Sequence, residues 1–206
     1  MVRKTKEEAL LTRDRILDAA EQVFHAQGVG ASSLQQVAEA AGVTRGAVYH
    51  HFQDKHELME ALLGRVILPL QAGEAQALAD PEAPDPLGRI VVHVQRLFDY
   101  IVATPRAQRV FDILTTRYEF GAENEPMRQR KQRSRCDFRD LLAGNLAVAQ
   151  RRGELAAGLE PLALAIGLLA LVDGLIRSWI LEPGAFALDR LGTDTVRRHV
   201  EGFRPR

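Results

Sequence analysis

The chain has 206 residues, 46% apolar and 26% charged, with one cysteine and a formal net charge of +0. That is long enough for a substantial core, or for a small domain joined to a larger one, with the composition of an ordinary soluble globular protein. A single cysteine excludes an intrachain disulfide, which suits a reducing cytoplasm, and no N-terminal apolar run signals a secretory leader.

Net charge taken alone argues against nucleic acid, since Met1 to Arg65 carries eight Lys/Arg against nine Asp/Glu. Placement matters more than the total. Arg3, Lys4 and Lys6 form a basic tail, read either as a disordered terminus or as an arm reaching phosphates. Ile16, Ala20, Val23 and Phe24 recur on one face of a helix predicted from about Glu7 to Gln27, which Gly28 ends. Phe24 is expected to share a core with Val37, Val48 and Phe52, and His25 to lie on the surface.

The stretch Ser33 to Lys55 reads as two short helices around a tight turn. Ser33 and Gln36 form a capping box, and Gly42 supplies the left-handed residue that closes the first helix. Val43 plugs the turn, Thr44 caps a second helix from Arg45 to His51, and Asp54 with Glu57 forms another capping box. This is the layout of a helix-turn-helix, whose second helix enters the DNA major groove. On that helix Val48 and Phe52 pack inward, leaving Arg45, Tyr49 and His50 outward beside the small residues Gly46 and Ala47. Small residues permit close approach, arginine can bond a guanine edge, and tyrosine, histidine and lysine can hold phosphates. The DNA-contact set is therefore Ser33, Thr44, Arg45, Gly46, Ala47, Tyr49, His50 and Lys55, with Arg45 reading a base edge.

Residues Thr12 to Lys55, through TRDRILDAAEQVFHAQGV and the run SLQQVAEAAGVTRGAVYHHFQDK, resemble the DNA-binding domain of the TetR family of bacterial repressors. The opening VRKTKEEA is similar to the AcrR-like branch of multidrug-efflux repressors, which commonly carries tryptophan where His50 stands. The resemblance implies a homodimer on an inverted-repeat operator of double-stranded DNA, repressing an efflux-type gene until a small hydrophobic ligand enters the C-terminal domain.

Beyond Asp54 a helix is predicted through Leu58, Leu62, Val66 and Leu70 to about Leu78, with a kink near Arg65 to Leu68 caused by Pro69. That connector is expected to carry the ligand signal. DPEAPDPLG, from Asp80 to Gly88, is a loop. Ile90, Val91, Val94, Leu97, Phe98 and Ile101 mark the next helix; Thr104 caps another, with Val110, Phe111, Leu114 and Tyr118 on one face. A loop is expected near Gly121 to Glu125, then a long helix from Pro126 to Arg152 whose start, Arg128 to Arg135, reads as a basic solvated face or a second interaction surface.

The segment from Pro161 to Leu181 is apolar on every side and must be covered all round, although its apolar run from Leu162 to Val172 is too short to span a bilayer before Asp173 and Arg177. Ala163, Gly167, Ala170 and Gly174 form a seam of small residues for a second subunit, with Val196, Val200 and Phe203 of the last helix completing a four-helix dimer interface. TetR-type proteins pair through their last two long helices, as the resemblance implies.

Asp173 and Arg177 read either as an i, i+4 ion pair or as polar groups of a ligand cavity, with His93, Phe111, Leu114, Leu169, Val172 and Ile176 as its lining. His50, His51, His56 and Asp54 lack metal-ligand spacing, Cys136 lacks a resolving cysteine, and no catalytic constellation or cofactor-binding loop is visible, so neither metal, cofactor nor enzyme is expected. The fold expected is all-α, with a DNA-binding domain at 1–53, a connecting helix at 54–79 and a ligand-binding and dimerisation domain at 80–206. A cytoplasmic, membrane-free regulator follows. The alternatives are a hydrophobic-ligand carrier without specific DNA function, and a DNA-binding regulator controlled by a protein partner.

Overall fold

The computed structural model describes residues 6–71, 78, 80, 84–118 and 125–205. Among them are nine α-helices and no strand: α1 Lys6–Gln27, α2 Leu34–Ala41, α3 Arg45–His51, α4 Lys55–Gln71, α5 Pro86–Ala103, α6 Pro105–Asp112, α7 Glu125–Arg151, α8 Pro161–Leu181 and α9 Thr193–Glu201. Single π-helical turns at Ile113–Arg117 and Leu188–Gly192 follow α6 and precede α9. The basic arm at 1–5, the connector beyond Gln71, part of the loop at 80–88 and the loop near Gly121 lie outside the described residues, as do the side chains of Pro69, Arg128, Arg130 and Lys131.

The chain divides into two compact units, one of residues 1–67 with 109–129 and the other of 68–108 with 130–206. The sequence division at 53 and 79 differs, because part of α4 and a returning segment around α6 belong with the first three helices. Three helices, α4, α6 and α7, therefore cross from one unit to the other along the chain.

In the first unit, Ile16, Leu17, Ala20 and Phe24 of α1 are buried with Val37 and Ala38 of α2, Val48 of α3, Phe52, and Leu58, Met59 and Leu62 of α4. Burying a Leu, Ile or Phe side chain stabilises by about 1.5–3 kcal/mol, so this apolar set is what holds the four helices together. Arg65 of α4 bridges Asp14 at 2.5 Å and Asp18 at 2.7 Å, binding the start of the connector to α1. α4 continues past Pro69 to Gln71 as a single helix.

The π turn alters the face expected after α6. Val110, Ile113 and Tyr118 are buried, whereas Phe111 and Leu114 are half-buried. A π turn adds a residue to the repeat and so shifts the register of every side chain after it.

In the second unit, Leu87, Ile90, Val91, Val94, Phe98 and Ile101 form the buried face of α5, while Leu97 is half-buried. Asn145 of α7, itself buried, donates to Pro86 O at 2.5 Å and accepts from Arg89 at 2.8 Å, tying α7 to α5. α8 is buried along only one stripe, at Ala165, Leu168, Leu169, Val172 and Ile176. Its 21 residues are long and apolar enough, by length and composition, to cross a bilayer. Asp173, however, sits mid-helix in an ion pair with Arg135 of α7.

Candidate nucleic-acid interface

The helix-turn-helix is held by local bonds at each end. Gln36 N–H donates to Ser33 Oγ at 3.2 Å and Ser33 N–H to Gln36 Oε1 at 2.8 Å, completing the box. Gly42 adopts φ 62°, its N–H and that of Val43 closing α2 on Glu39 O at 3.1 Å and Ala38 O at 3.0 Å. Arg15 of α1 adds a bond to Ala41 O at 2.8 Å. Thr44 Oγ accepts from Ala47 N–H at 3.1 Å and starts α3. The second box forms differently from the expected one: Asp54 accepts from His56 and Glu57 N–H, both at 2.8 Å, but Glu57 reaches Gln53 N–H at 2.6 Å.

These caps fix which face α3 shows. Val48 is fully buried and Phe52 nearly so, with Arg13 stacked over the Phe52 ring at 5.0 Å. Arg45, Gly46, Tyr49 and His50 are exposed, and Ala47 is half-buried. The Arg45 guanidinium lies over the Tyr49 ring at 5.3 Å and donates to the Tyr49 hydroxyl at 3.1 Å. Gly46 has no internal reason to be glycine: a Cβ there would meet only Thr44 Oγ, at 3.9 Å. The chain leaves a bare patch beside an outward cation, on a helix held rigidly from behind.

Ser33 and Thr44 are exposed, with their hydroxyl oxygens engaged in capping. Lys55 is occupied more fully. Its Nζ donates to Val29 O at 2.8 Å, Gly30 O at 3.0 Å and Ser32 O at 2.7 Å. An ammonium has three protons, and three carbonyls use them all. Lys55, expected at a phosphate, here holds the α1–α2 loop with all three.

The segment after α5 is bonded to the same unit at four points that no local pattern announces. Arg109 meets the buried Glu21 at 2.5 Å, and His25, still partly exposed, meets Asp112 at 3.2 Å. Val29 N–H donates to Arg117 O at 3.3 Å, and His56 Nδ1 lies 3.1 Å from the Tyr118 hydroxyl. Burial works to raise the Asp112 pKa, but hydrogen bonds from Thr116 and Arg117, with the charges of Arg117 and His25, bring it below the ordinary value. Burial, helped by Asp54 and Glu60, pushes Tyr118 up to about 12, so its hydroxyl keeps its proton.

The residues expected to line a ligand cavity are spread over both units. Phe111 and Leu114 belong to the first. In the second, His93 is half-buried with its ring 5.2 Å from Phe138, and Leu169, Val172 and Ile176 are buried. Asp173 and Arg177 are exposed on the outer side of α8, and Asp173 pairs with Arg135 instead of Arg177. A hollow of about 370 Å³ lies on α7, lined by Leu78, Leu141, Asn145 and Val148 among others, and by none of the eight expected residues. Of the dimer set, Ala163, Gly167, Ala170 and Gly174 are exposed along α8. Val196, Val200 and Phe203 are instead buried within the single chain, so the expectation that they face a partner is corrected to a place in the subunit's own core. Among the described residues no group of three or more His, Cys, Asp or Glu could hold a metal.

A capped helix-turn-helix with an exposed arginine and a bare backbone, carried by a larger all-helical domain, defines a DNA-binding transcriptional regulator. Residues 16–62 match the family model for bacterial regulatory proteins of the tetR family, and residues 94–205 that for the C-terminal domain of BetI-type transcriptional repressors. The chain belongs to the TetR family, and so to transcriptional regulators rather than enzymes. It is 40% identical over 192 residues to the regulator TtgR of Pseudomonas putida, covering 93% of this chain and 90% of that one. It is 37% identical over 203 residues to the repressor BepR of Brucella suis, covering 98% and 97%. NalD of Pseudomonas aeruginosa, secondary repressor of the MexAB-OprM multidrug efflux pump, superposes with a TM-score of 0.86 at 32% identity, covering 98% of this chain and 99% of its own. SmeT in complex with triclosan gives 0.83 at 29%, covering 95% and 92%.

Proposed function

We propose that this protein is a cytoplasmic, homodimeric repressor of multidrug-efflux genes that a small hydrophobic compound releases from its operator. The observation that carries the DNA half is the outward face of α3, where Arg45 and Tyr49 flank a Gly46 that nothing inside the chain requires. The efflux half rests on likeness to NalD, a repressor of such a pump, and the ligand on likeness to SmeT, solved with triclosan.

Two copies place two recognition helices about 34 Å apart, one helical turn of DNA, which suits an inverted repeat. The exposed stripe of α8 supports pairing: Leu162, Ile166 and Leu181 stay 45%, 53% and 56% exposed, beside the small residues Ala163, Gly167, Ala170 and Gly174. Apolar exposure of that size on one helix favours a covering partner, and Asp173 and Arg177 are exposed on the same stripe.

Release requires the ligand to bind the DNA-incompetent arrangement better than the competent one. α4 and α6 each have residues in both units, α4 leaving the DNA-binding unit along the chain and α6 returning to it. α4 grips α1 through Arg65 and the α1–α2 loop through Lys55, and α6 grips α1 through Arg109. A fluorescence anisotropy titration of an operator duplex, with and without triclosan, tests the whole reading: specific binding weakened by the compound is the expected result. A carrier without DNA function would bind the compound and show no duplex preference. Control by a protein partner at Arg128 to Arg135 has less support, since Arg135 is already held by Asp173.

A further inference from the structure

We infer that Tyr49 is a specificity-determining positioning residue, which orients the Arg45 guanidinium for a guanine edge before DNA arrives. The inference rests on the reading of α3 as the recognition helix and concerns which side chain sets its selectivity.

Arg45 and Tyr49 stand one turn apart on the exposed face of α3, and their contact is double. The guanidinium carbon lies 5.3 Å from the ring centroid, and one Nη donates to the hydroxyl at 3.1 Å. Among the described residues no carboxylate holds Arg45. The two contacts hold the one guanidinium at separate points of Tyr49, its ring and its hydroxyl.

That geometry has a consequence for reading. A free arginine on a helix surface samples many rotamers, and freezing them on a base edge costs conformational entropy. Tyr49 removes part of that cost in the unbound protein. It consumes one of the five guanidinium protons and leaves four, enough for the two parallel bonds that guanine O6 and N7 accept. Adenine offers an N7 acceptor beside an N6 donor, which a fork of donors held in one orientation cannot satisfy. A loosely held arginine could swing to a phosphate and tolerate the wrong base, and the same contact made with Tyr49 in place discriminates. Thr44, which caps α3 one residue before Arg45, keeps the helix start from fraying under this contact.

The test uses the full-length protein and an operator duplex selected by it from a randomised pool. Affinity is measured for that duplex and for duplexes carrying 7-deazaguanine or adenine at each half-site guanine, using the wild type, Tyr49→Phe, Tyr49→Leu and Arg45→Ala. Wild type should lose about tenfold or more at one symmetry-related guanine, and Arg45→Ala should lose that preference. Tyr49→Phe keeps the ring and removes the hydroxyl, and its discrimination at that guanine should fall about three- to tenfold while melting temperature is unchanged. Tyr49→Leu should remove most of what remains, and neither Tyr49 variant should matter in an Arg45→Ala background. Tyr49→Phe that weakens all duplexes equally, or leaves the guanine preference intact, overturns the inference while the Arg45 reading stands. Arg45→Ala that keeps the preference overturns the Arg45 reading itself.

Discussion

Arg109 sets its guanidinium 2.5 Å from the carboxylate of Glu21, a residue 88 positions earlier whose side chain is only 3% exposed. A carboxylate so enclosed stays charged at acceptable cost only when paired. The pair joins the end of α6 to the middle of α1, and α6 begins in the other unit of the chain.

Arg109→Ala should destabilise the protein by about 2–3 kcal/mol, below the range for a fully buried pair because Arg109 is itself 41% exposed. Glu21→Gln with Arg109→Met should recover most of that loss, since the buried charge and its guanidinium partner are then removed together. Urea denaturation measures both. The double variant should also answer poorly to triclosan in a DNA-release assay, and full release with the pair gone would assign the signal to α4.

Gly46→Ala separates stability from DNA binding. Nothing in the chain lies closer to the added methyl than Thr44 Oγ, at 3.9 Å, and alanine favours helix over glycine by up to about 1 kcal/mol. The variant should melt at the wild-type temperature or above it and bind operator at least about tenfold more weakly. Undiminished affinity would show that the bare backbone is not where DNA approaches.

Lys55→Met distinguishes a plug from a phosphate contact. Loss of three bonds to Val29, Gly30 and Ser32 carbonyls should cost about 1–3 kcal/mol of stability. The slope of log affinity against log salt should stay unchanged. A lysine that neutralises a phosphate would lower its magnitude by about 0.9.

Gly167→Arg addresses the dimer. A Cβ at Gly167 would meet nothing within 4 Å, so the single chain accommodates the substitution. Sedimentation should show monomers where the wild type shows dimers, and affinity for an inverted repeat should fall at least about a hundredfold because the second recognition helix no longer adds its contacts. Unchanged dimers would move the interface off the outer stripe of α8.

The parts of this architecture legible in the sequence are those fixed within one turn of chain. Ser33 with Gln36, Gly42, and Thr44 before Arg45 each carry their own geometry, and all form as their residue types dictate. The inward Val48 and outward Arg45 follow from helical spacing. Contacts between distant residues left no such trace. His56 and Tyr118 are 62 positions apart, and nothing near either announces the other. Asp173 had a cation waiting at i+4 in Arg177, yet Arg135 of another helix took it. The π turn at Ile113–Arg117 put Ile113 rather than Leu114 on the buried face that a regular repeat had continued from Val110. Apolar spacing in α9 identified Val196 and Val200 as buried, but spacing cannot say whether the cover comes from the same chain or another; here it is the same chain.

The proposed function turns on a drug-released grip on a specific operator. Its most direct test is a fluorescence anisotropy titration of the operator duplex and of unrelated DNA, at two salt concentrations, with and without triclosan. Binding should be salt-sensitive, favour the operator by about a thousandfold or more and weaken when the compound is added. Equal affinity for both duplexes, indifferent to the compound, would contradict it.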